Sequence, residues 1–175
     1  MQKTKTLALI SVYAALYAAL VIFLPGLSYG PLQVRVADSL VAAVPLLGFA
    51  GVLGHTLGVF IANLFSPVGP IDLLNTIPSF IMAFLVYYVY KKTNNDYTVI
   101  GTCIAYSAVL GVTVGWMLSS LFGYPLIETI VYVALGNIVA SVLIGWPIFK
   151  LLKKSGIQRW ITPTKHNEAK LYERN

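Results

Sequence analysis

The sequence predicts an all-α integral membrane protein, a compact bundle of six transmembrane helices with both termini in the cytoplasm. Hydrophobic residues make up 58% of the chain and charged residues only 10%, and the mean hydropathy is +0.79. These values are too apolar for a water-soluble domain of 175 residues. Long apolar stretches, with lysines and arginines clustered at their ends, also favour a membrane protein.

Four apolar stretches are long enough to cross a bilayer, since one crossing needs about 20 residues. They cover residues 6–24, 73–90, 97–122 and 125–149. The first is too long for the core of a secretory signal peptide, and Pro25 and Gly26 follow it where a cleavage site of small residues would be needed. We therefore interpret it as a permanent helix.

The stretch 36–65 is too long for one crossing and short for two, with a break expected at residues 47–51. Charge decides between these alternatives. Two crossings place the amino-terminal lysines, the loop with Lys91 and Lys92, and the carboxyl-terminal lysines on one side, as the positive-inside rule requires. We therefore expect six crossings, with the second helix beginning within residues 30–36.

The chain is expected to form one membrane domain, residues 1–150, followed by a polar cytoplasmic tail, residues 151–175. Membrane orientation explains the net charge of +6, so nucleic acid is not an expected partner. The only cysteine, Cys103, lies in an apolar segment, which excludes a disulfide and a cysteine-based metal site.

Five ionisable residues lie within or beside the apolar stretches, where a charge costs about 2.5–3.5 kcal/mol on insertion scales. They are Arg35, Asp38, His55, Asp72 and Glu128. In this topology Arg35 is the only basic residue away from the cytoplasmic side. A helix would place Arg35 and Asp38 on one face, so we expect them to pair. The pair is either structural or part of a ligand site.

The other three ionisable residues have distinct expected roles. Asp72 lies at the start of the fourth helix, where it could cap free amides or contact a ligand. Glu128 has no basic neighbour in the sequence, which favours a functional role. No second histidine lies in the membrane region, so His55 is expected to make an interhelical hydrogen bond rather than bind metal, with gating or proton transfer as the alternative.

Polar residues concentrate at the outer end of the predicted bundle, which favours a cup that faces outward over a pore. Asn63 lies there, as do Trp116 and Tyr124, which are either stacking partners or interfacial anchors. The chain has no GxxxxGK[ST] phosphate loop and no HExxH motif. We therefore expect no enzyme activity, no ATP hydrolysis and no cofactor in this chain.

Pairs of small residues four positions apart allow helices to approach closely. Packing within the bundle is the plainest interpretation of each pair. The pairs are Gly54 and Gly58, Gly111 and Gly115, Ala14 and Ala18, and Ala15 and Ala19.

Two motifs stand at consistent spacing in the first half of the chain. GPLQVRVADSL at residues 30–40 is similar to a GPIQVRVSEAL-like signature, with Asp38 in place of glutamate. ANLFS at residues 62–66, followed by GPID at residues 69–72, is similar to an ANLFS…GPLD segment. Both resemble the QueT family, the substrate-binding (S) components of energy-coupling factor transporters. The resemblance covers residues 6–149.

The resemblance implies a six-helix subunit that binds a queuosine precursor near its outer face. It also implies three kinds of partner besides the lipid bilayer: the substrate, a transmembrane coupling protein (T component), and two cytoplasmic ATPases that would hydrolyse ATP. An AxxxA pattern on the first helix would dock the coupling protein. Ala14 with Ala18, or Ala15 with Ala19, fits that pattern.

A 7-deazaguanine offers N–H donors on its pyrimidine edge, and its aminomethyl form adds a cation. Asp72 and Glu128 could accept these groups. The remaining candidates follow from the same chemistry: Arg35 held by Asp38, or Asn63 and Gln33, at the carbonyl edge, and Tyr29, Phe65, Trp116 or Tyr124 against the ring.

Two other functions remain open at this point. The chain could be an S component for another small heterocycle or a vitamin. It could instead be a self-sufficient solute carrier or channel that uses His55.

Overall fold

The computed structural model describes residues 2–29 and 33–158, and these ranges contain helices and turns but no strand. The first helix, α1 (Gln2–Phe23), leads into the short α2 (Pro25–Ser28). The remaining helices are α3 (Val36–Leu47), α4 (Phe49–Leu64), α5 (Pro70–Thr93), α6 (Tyr97–Phe122) and α7 (Leu126–Lys154). The all-helical fold class is confirmed. Most of the predicted tail lies outside the described residues.

Within the described residues, four helices are long and apolar enough to cross a membrane, namely α1, α5, α6 and α7, while α3 and α4 are shorter apolar helices. The expected break between α3 and α4 is confirmed at Gly48, whose φ of 67° belongs to the left-handed region that glycine favours. Residues 33–35 are not helical, so α3 begins only at Val36, the last residue of the expected segment.

The lengths of α3 and α4 explain the unusual form of α3. Its first 8 residues, Val36–Ala43, form a 3₁₀-helix, and its last 4, Val44–Leu47, are α-helical. A 3₁₀-helix rises about 2.0 Å per residue against about 1.5 Å in an α-helix, so α3 spans about 22 Å. The 16 residues of α4 span about 24 Å, against a hydrocarbon core of about 30 Å. The 3₁₀ form therefore lengthens a segment that has few residues.

Glycines hold α4 tightly against α1. A Cβ placed on Gly54 would lie 2.9 Å from the Tyr13 Cβ, and one on Gly58 would lie 2.7 Å from the Tyr17 Cβ. The predicted packing role of this glycine pair is confirmed. Gly111 and Gly115 likewise pack α6 against α7.

A second close contact joins α7 to the segment that begins α3. A Cβ on Gly136 would lie 2.0 Å from the backbone oxygen of Gln33, and one on Gly145 would lie 2.8 Å from the backbone oxygen of Ser39. The chain turns through a π-helix, Val139–Ile144, between these glycines. Because both contacts advance in the same direction along the chain, α7 runs parallel to residues 33–42.

The loop before α6 is tied to the last turns of α7. The carboxylate of Asp96 accepts a hydrogen bond of 2.7 Å from Lys150 and another from Lys153. Partial burial raises the pKa of Asp96, but these hydrogen bonds and the two lysine charges lower it by more, so the net pKa lies below the ordinary value of 3.8.

Replacing Asp96 with asparagine is expected to destabilise the protein by less than about 1 kcal/mol at neutral pH, because the ion pairs are largely exposed. A carboxyl group with a lowered pKa contributes stability above its ordinary pKa, and this is lost as the pH falls through the folded-state value. The difference in Tm between the two proteins should therefore vanish well below pH 3.8. A difference that persists unchanged in acid would contradict this assignment.

Candidate functional site

Arg35 lies at the centre of a buried polar cluster formed by Tyr29, Arg35, Asn63 and Asp72, which we call the Arg35 cluster. The Arg35 Nη2 is 3.7 Å from the Asp72 Oδ2 and donates a hydrogen bond of 3.3 Å to the Asn63 Oδ1. The guanidinium carbon lies 5.4 Å from the centre of the Tyr29 ring. The structure thus brings together four of the residues expected in the site.

Asp72 serves this cluster and does not cap a helix. It lies inside the 3₁₀ turn Pro70–Asn75 that opens α5. Its Oδ1 accepts a 3.0 Å hydrogen bond from the Asn75 side chain, and its backbone oxygen accepts one of 2.9 Å from the Asn63 Nδ2. Of the two roles left open for Asp72, the capping of free amides is therefore wrong, because its carboxylate is engaged by side chains. Contact with a ligand stays a prediction.

The predicted contact of Arg35 with Asp38 is also wrong, since Arg35 pairs directly with Asp72, although the charges of Arg35 and Asp38 still attract each other at longer range. Arg35 precedes the helix, with an extended backbone (φ −73°, ψ 91°), so the helical spacing that would align the two side chains does not apply. The Asp38 Oδ1 instead accepts hydrogen bonds from the hydroxyls of Tyr17 at 2.5 Å and Tyr106 at 3.0 Å. Asp38 therefore joins α3 to α1 and α6.

His55 continues this network, and its predicted interhelical hydrogen bond is confirmed. Its Nδ1 lies 3.2 Å from the Tyr13 hydroxyl and its Nε2 lies 3.2 Å from the Tyr106 hydroxyl. Because Tyr106 donates its proton to Asp38, it must accept from His55, which assigns the proton to Nε2. The ring is fully buried, and the network has one consistent direction of donation.

Several buried polar atoms lack a hydrogen-bond partner among the described residues. They are the Ser28 Oγ, Gln33 Oε1, Arg35 Nε, Thr76 Oγ1 and Asn137 Oδ1. Each such atom costs about 1–3 kcal/mol relative to a paired one. The Gln33 Nε2 donates to the backbone oxygen of Ser28, which leaves its oxygen without a donor. Asn137 could not be identified from the sequence, because one amide in an apolar helix gives no periodic signal.

An open groove of about 200 Å³ lies between α5 and α6. Asn75 lines the groove and also bonds to Asp72, so it connects the groove to the Arg35 cluster. The remaining lining is apolar apart from one hydroxyl, and consists of Ile71, Leu74, Pro78, Thr113, Trp116 and Met117. Trp116, at 58% exposure, is the large ring available on this surface.

Glu128 and Tyr124 do not contact the Arg35 cluster. Glu128 is exposed in the first turn of α7. No hydrogen bond or ion pair joins it to another described residue. Tyr124 stacks on Phe122, with 5.7 Å between the ring centres. Their roles in ligand binding stay predictions.

The two alanine pairs on α1 face different surroundings. Ala14 and Ala18 are buried, and a Cβ on Gly58 would lie 3.2 Å from the Ala14 backbone oxygen. Ala15 is exposed and Ala19 is half-buried. Only the second pair is thus open to another molecule.

Comparison with known proteins agrees with this architecture. The model of the QueT transporter family matches residues 7–154. This range includes α2 to α7 in full and α1 from Leu7 onward. No curated protein and no solved structure matches the chain. The match covers most of the sequence, including the helices and the buried site. The chain therefore belongs to the QueT transporter family and is a membrane substrate-binding component of a transporter.

Proposed function

We propose that this protein is the S component of an energy-coupling factor importer and captures a queuosine precursor, a base of the 7-deazaguanine type. The observation that carries the proposal is the Arg35 cluster, a buried cation with unsatisfied polar neighbours beside an open groove that Trp116 lines. Ligand sites commonly combine an apolar groove with a few placed polar groups.

The chemistry of the base matches these groups. The Arg35 guanidinium can donate to a ring carbonyl, while Asn63 and Asp72 hold it in place. Gln33 offers an oxygen to a ring N–H. Trp116, with Tyr29 or Tyr124, provides an aromatic face for the ring. Asp38 supports the site from the tyrosine network rather than by contact.

Glu128 is proposed to attract the cation of an aminomethyl substituent, since its carboxylate is exposed near the outer end of the bundle. We place the Arg35 cluster on the outer side, with both termini cytoplasmic and six crossings. The lysines at the end of α5 and in the last turn of α7 support this orientation through the positive-inside rule.

Binding should be measured by calorimetry on the purified protein with 7-deazaguanines, guanine and B vitamins. Glu128→Gln is expected to weaken binding of the aminomethyl base about tenfold or more, since charge-assisted hydrogen bonds contribute about 1.5–3 kcal/mol. Asp96→Asn, a carboxylate change at the opposite end, is the matched control and should leave affinity unchanged. Tight binding of a vitamin but no deazaguanine would assign a different cargo.

ATP hydrolysis is proposed to belong to two cytoplasmic ATPases, joined through a coupling protein that docks on α1. Ala15 and Ala19 are the proposed contact, because Ala14 and Ala18 are already buried against α4. Purification from the native membrane should recover these partners. Uptake by liposomes that contain this chain alone would support a self-sufficient carrier instead.

A further inference from the structure

Asn137 is a buried amide in the middle of α7. It is 3% exposed, and its side chain makes no hydrogen bond to another described residue. Native proteins seldom keep a buried polar side chain without a partner unless it has a function. One turn later on the same face, Ser141 is satisfied by Ser107 at 2.9 Å. Of these two buried polar residues of α7, Asn137 is the one that lacks a partner.

The parallel contact between α7 and the start of α3 fixes the depth of Asn137. Gly136 lies against the backbone oxygen of Gln33, and nine residues later Gly145 lies against that of Ser39. This register places Asn137 beside residues 33–35, where Gln33 and Arg35 also carry atoms without partners. Three residues, on two segments of the chain, therefore share one level of the bundle.

The unsatisfied atoms at this level define a pattern of hydrogen bonding. Gln33 Oε1 and Asn137 Oδ1 are acceptors, while Arg35 Nε–H is a donor. A molecule that satisfies all three must present two N–H donors and one acceptor. A ring carbonyl with an adjacent ring N–H and an exocyclic amino group has this pattern along one edge.

We propose that Asn137 determines specificity by accepting a hydrogen bond from the exocyclic amino group of a planar aminolactam heterocycle. The Gln33 oxygen accepts from the ring N–H, and the Arg35 Nε–H donates to the carbonyl. This inference rests on the proposed function, since it names the edge by which the same site recognises its base. It adds to that site a residue of α7 that neither the groove nor the Arg35 cluster includes.

The test compares 7-deazaguanine with 7-deazahypoxanthine, which lacks the amino group, by calorimetry on the full chain. The unaltered protein should prefer 7-deazaguanine by about tenfold or more, the factor expected for one buried hydrogen bond. In Asn137→Leu this preference should fall below about twofold, chiefly through weaker binding of 7-deazaguanine. The Tm of the ligand-free variant should equal or exceed that of the parent, because a buried polar group without a partner is removed.

Ser141→Ala is the matched control, since it alters the same face of α7 but should keep the preference. Asn137→Ala also lacks the acceptor oxygen and should likewise lose the preference, which gives a second variant if the leucine protein does not fold. If the parent binds neither base, the proposed function fails and this inference with it. If the parent and Asn137→Leu prefer 7-deazaguanine over 7-deazahypoxanthine by the same factor, only the role of Asn137 is overturned.

Discussion

Replacing Arg35 with methionine is expected to destabilise the protein by about 3–5 kcal/mol, the usual cost of removing one partner of a buried ion pair. The change leaves the Asp72 carboxylate buried without its cation and leaves the Asn63 Oδ1 without its donor. The free energy of unfolding, or the shift in Tm in a fixed detergent, measures the effect.

A second substitution separates the loss of the pair from the loss of packing. Asp72→Asn added to Arg35→Met should recover part of the stability, because no isolated buried charge then remains. Lys92→Met, which removes an exposed cation, should change the Tm little. A double variant that is less stable than Arg35→Met would show that the two side chains are not coupled as the 3.7 Å distance indicates.

Replacing Gly136 with alanine is expected to destabilise the protein by about 3 kcal/mol or more, at the upper end of the cost of overpacking. The new Cβ would lie 2.0 Å from the Gln33 backbone oxygen and 2.7 Å from its carbonyl carbon. Backbone cannot turn aside as a flexible side chain can, so residues 33–35 must move. Binding of 7-deazaguanine should be lost with stability.

Gly101→Ala is the matched control, because Gly101 is also helical but a Cβ there meets no atom within 4 Å. Alanine is favoured over glycine in helices by about 0.8–1.0 kcal/mol, so this variant should be as stable as the parent or more so. A loss of stability in Gly136→Ala, together with equal or higher stability in Gly101→Ala, would establish the close contact of α7 with residue 33. Equal effects would contradict it.

The regular parts of the fold were predictable from the sequence because they depend on local hydropathy. The predicted span 97–122 coincides with α6, Tyr97–Phe122. The break at Gly48 and the packing of the glycine pairs were also predictable, since a glycine in an apolar helix signals close approach or a special φ. These features need no knowledge of distant residues.

The partners within the site were not predictable, since they depend on contacts between distant parts of the chain. Arg35 pairs with Asp72 because its own backbone is extended, and helical spacing suggested Asp38 instead. Tyr17 and Tyr106 were not predicted as partners of Asp38, because the hydropathy of a tyrosine in an apolar helix does not indicate which group its hydroxyl binds. Only the folded structure joins them to Asp38.

The short hairpin of α3 and α4 around Gly48 also has a consequence for synthesis. Asp38 and His55 both need the hydroxyl of Tyr106, which leaves the ribosome only after the whole hairpin has been made. Asp38 and His55 can already bond to Tyr17 and Tyr13 of α1. The hairpin, with arms of about 22 and 24 Å, completes its polar contacts only when α6 packs against it. We therefore expect the hairpin to reach its final packing late, and a chain truncated before α6 to lack both hydrogen bonds of the Tyr106 hydroxyl.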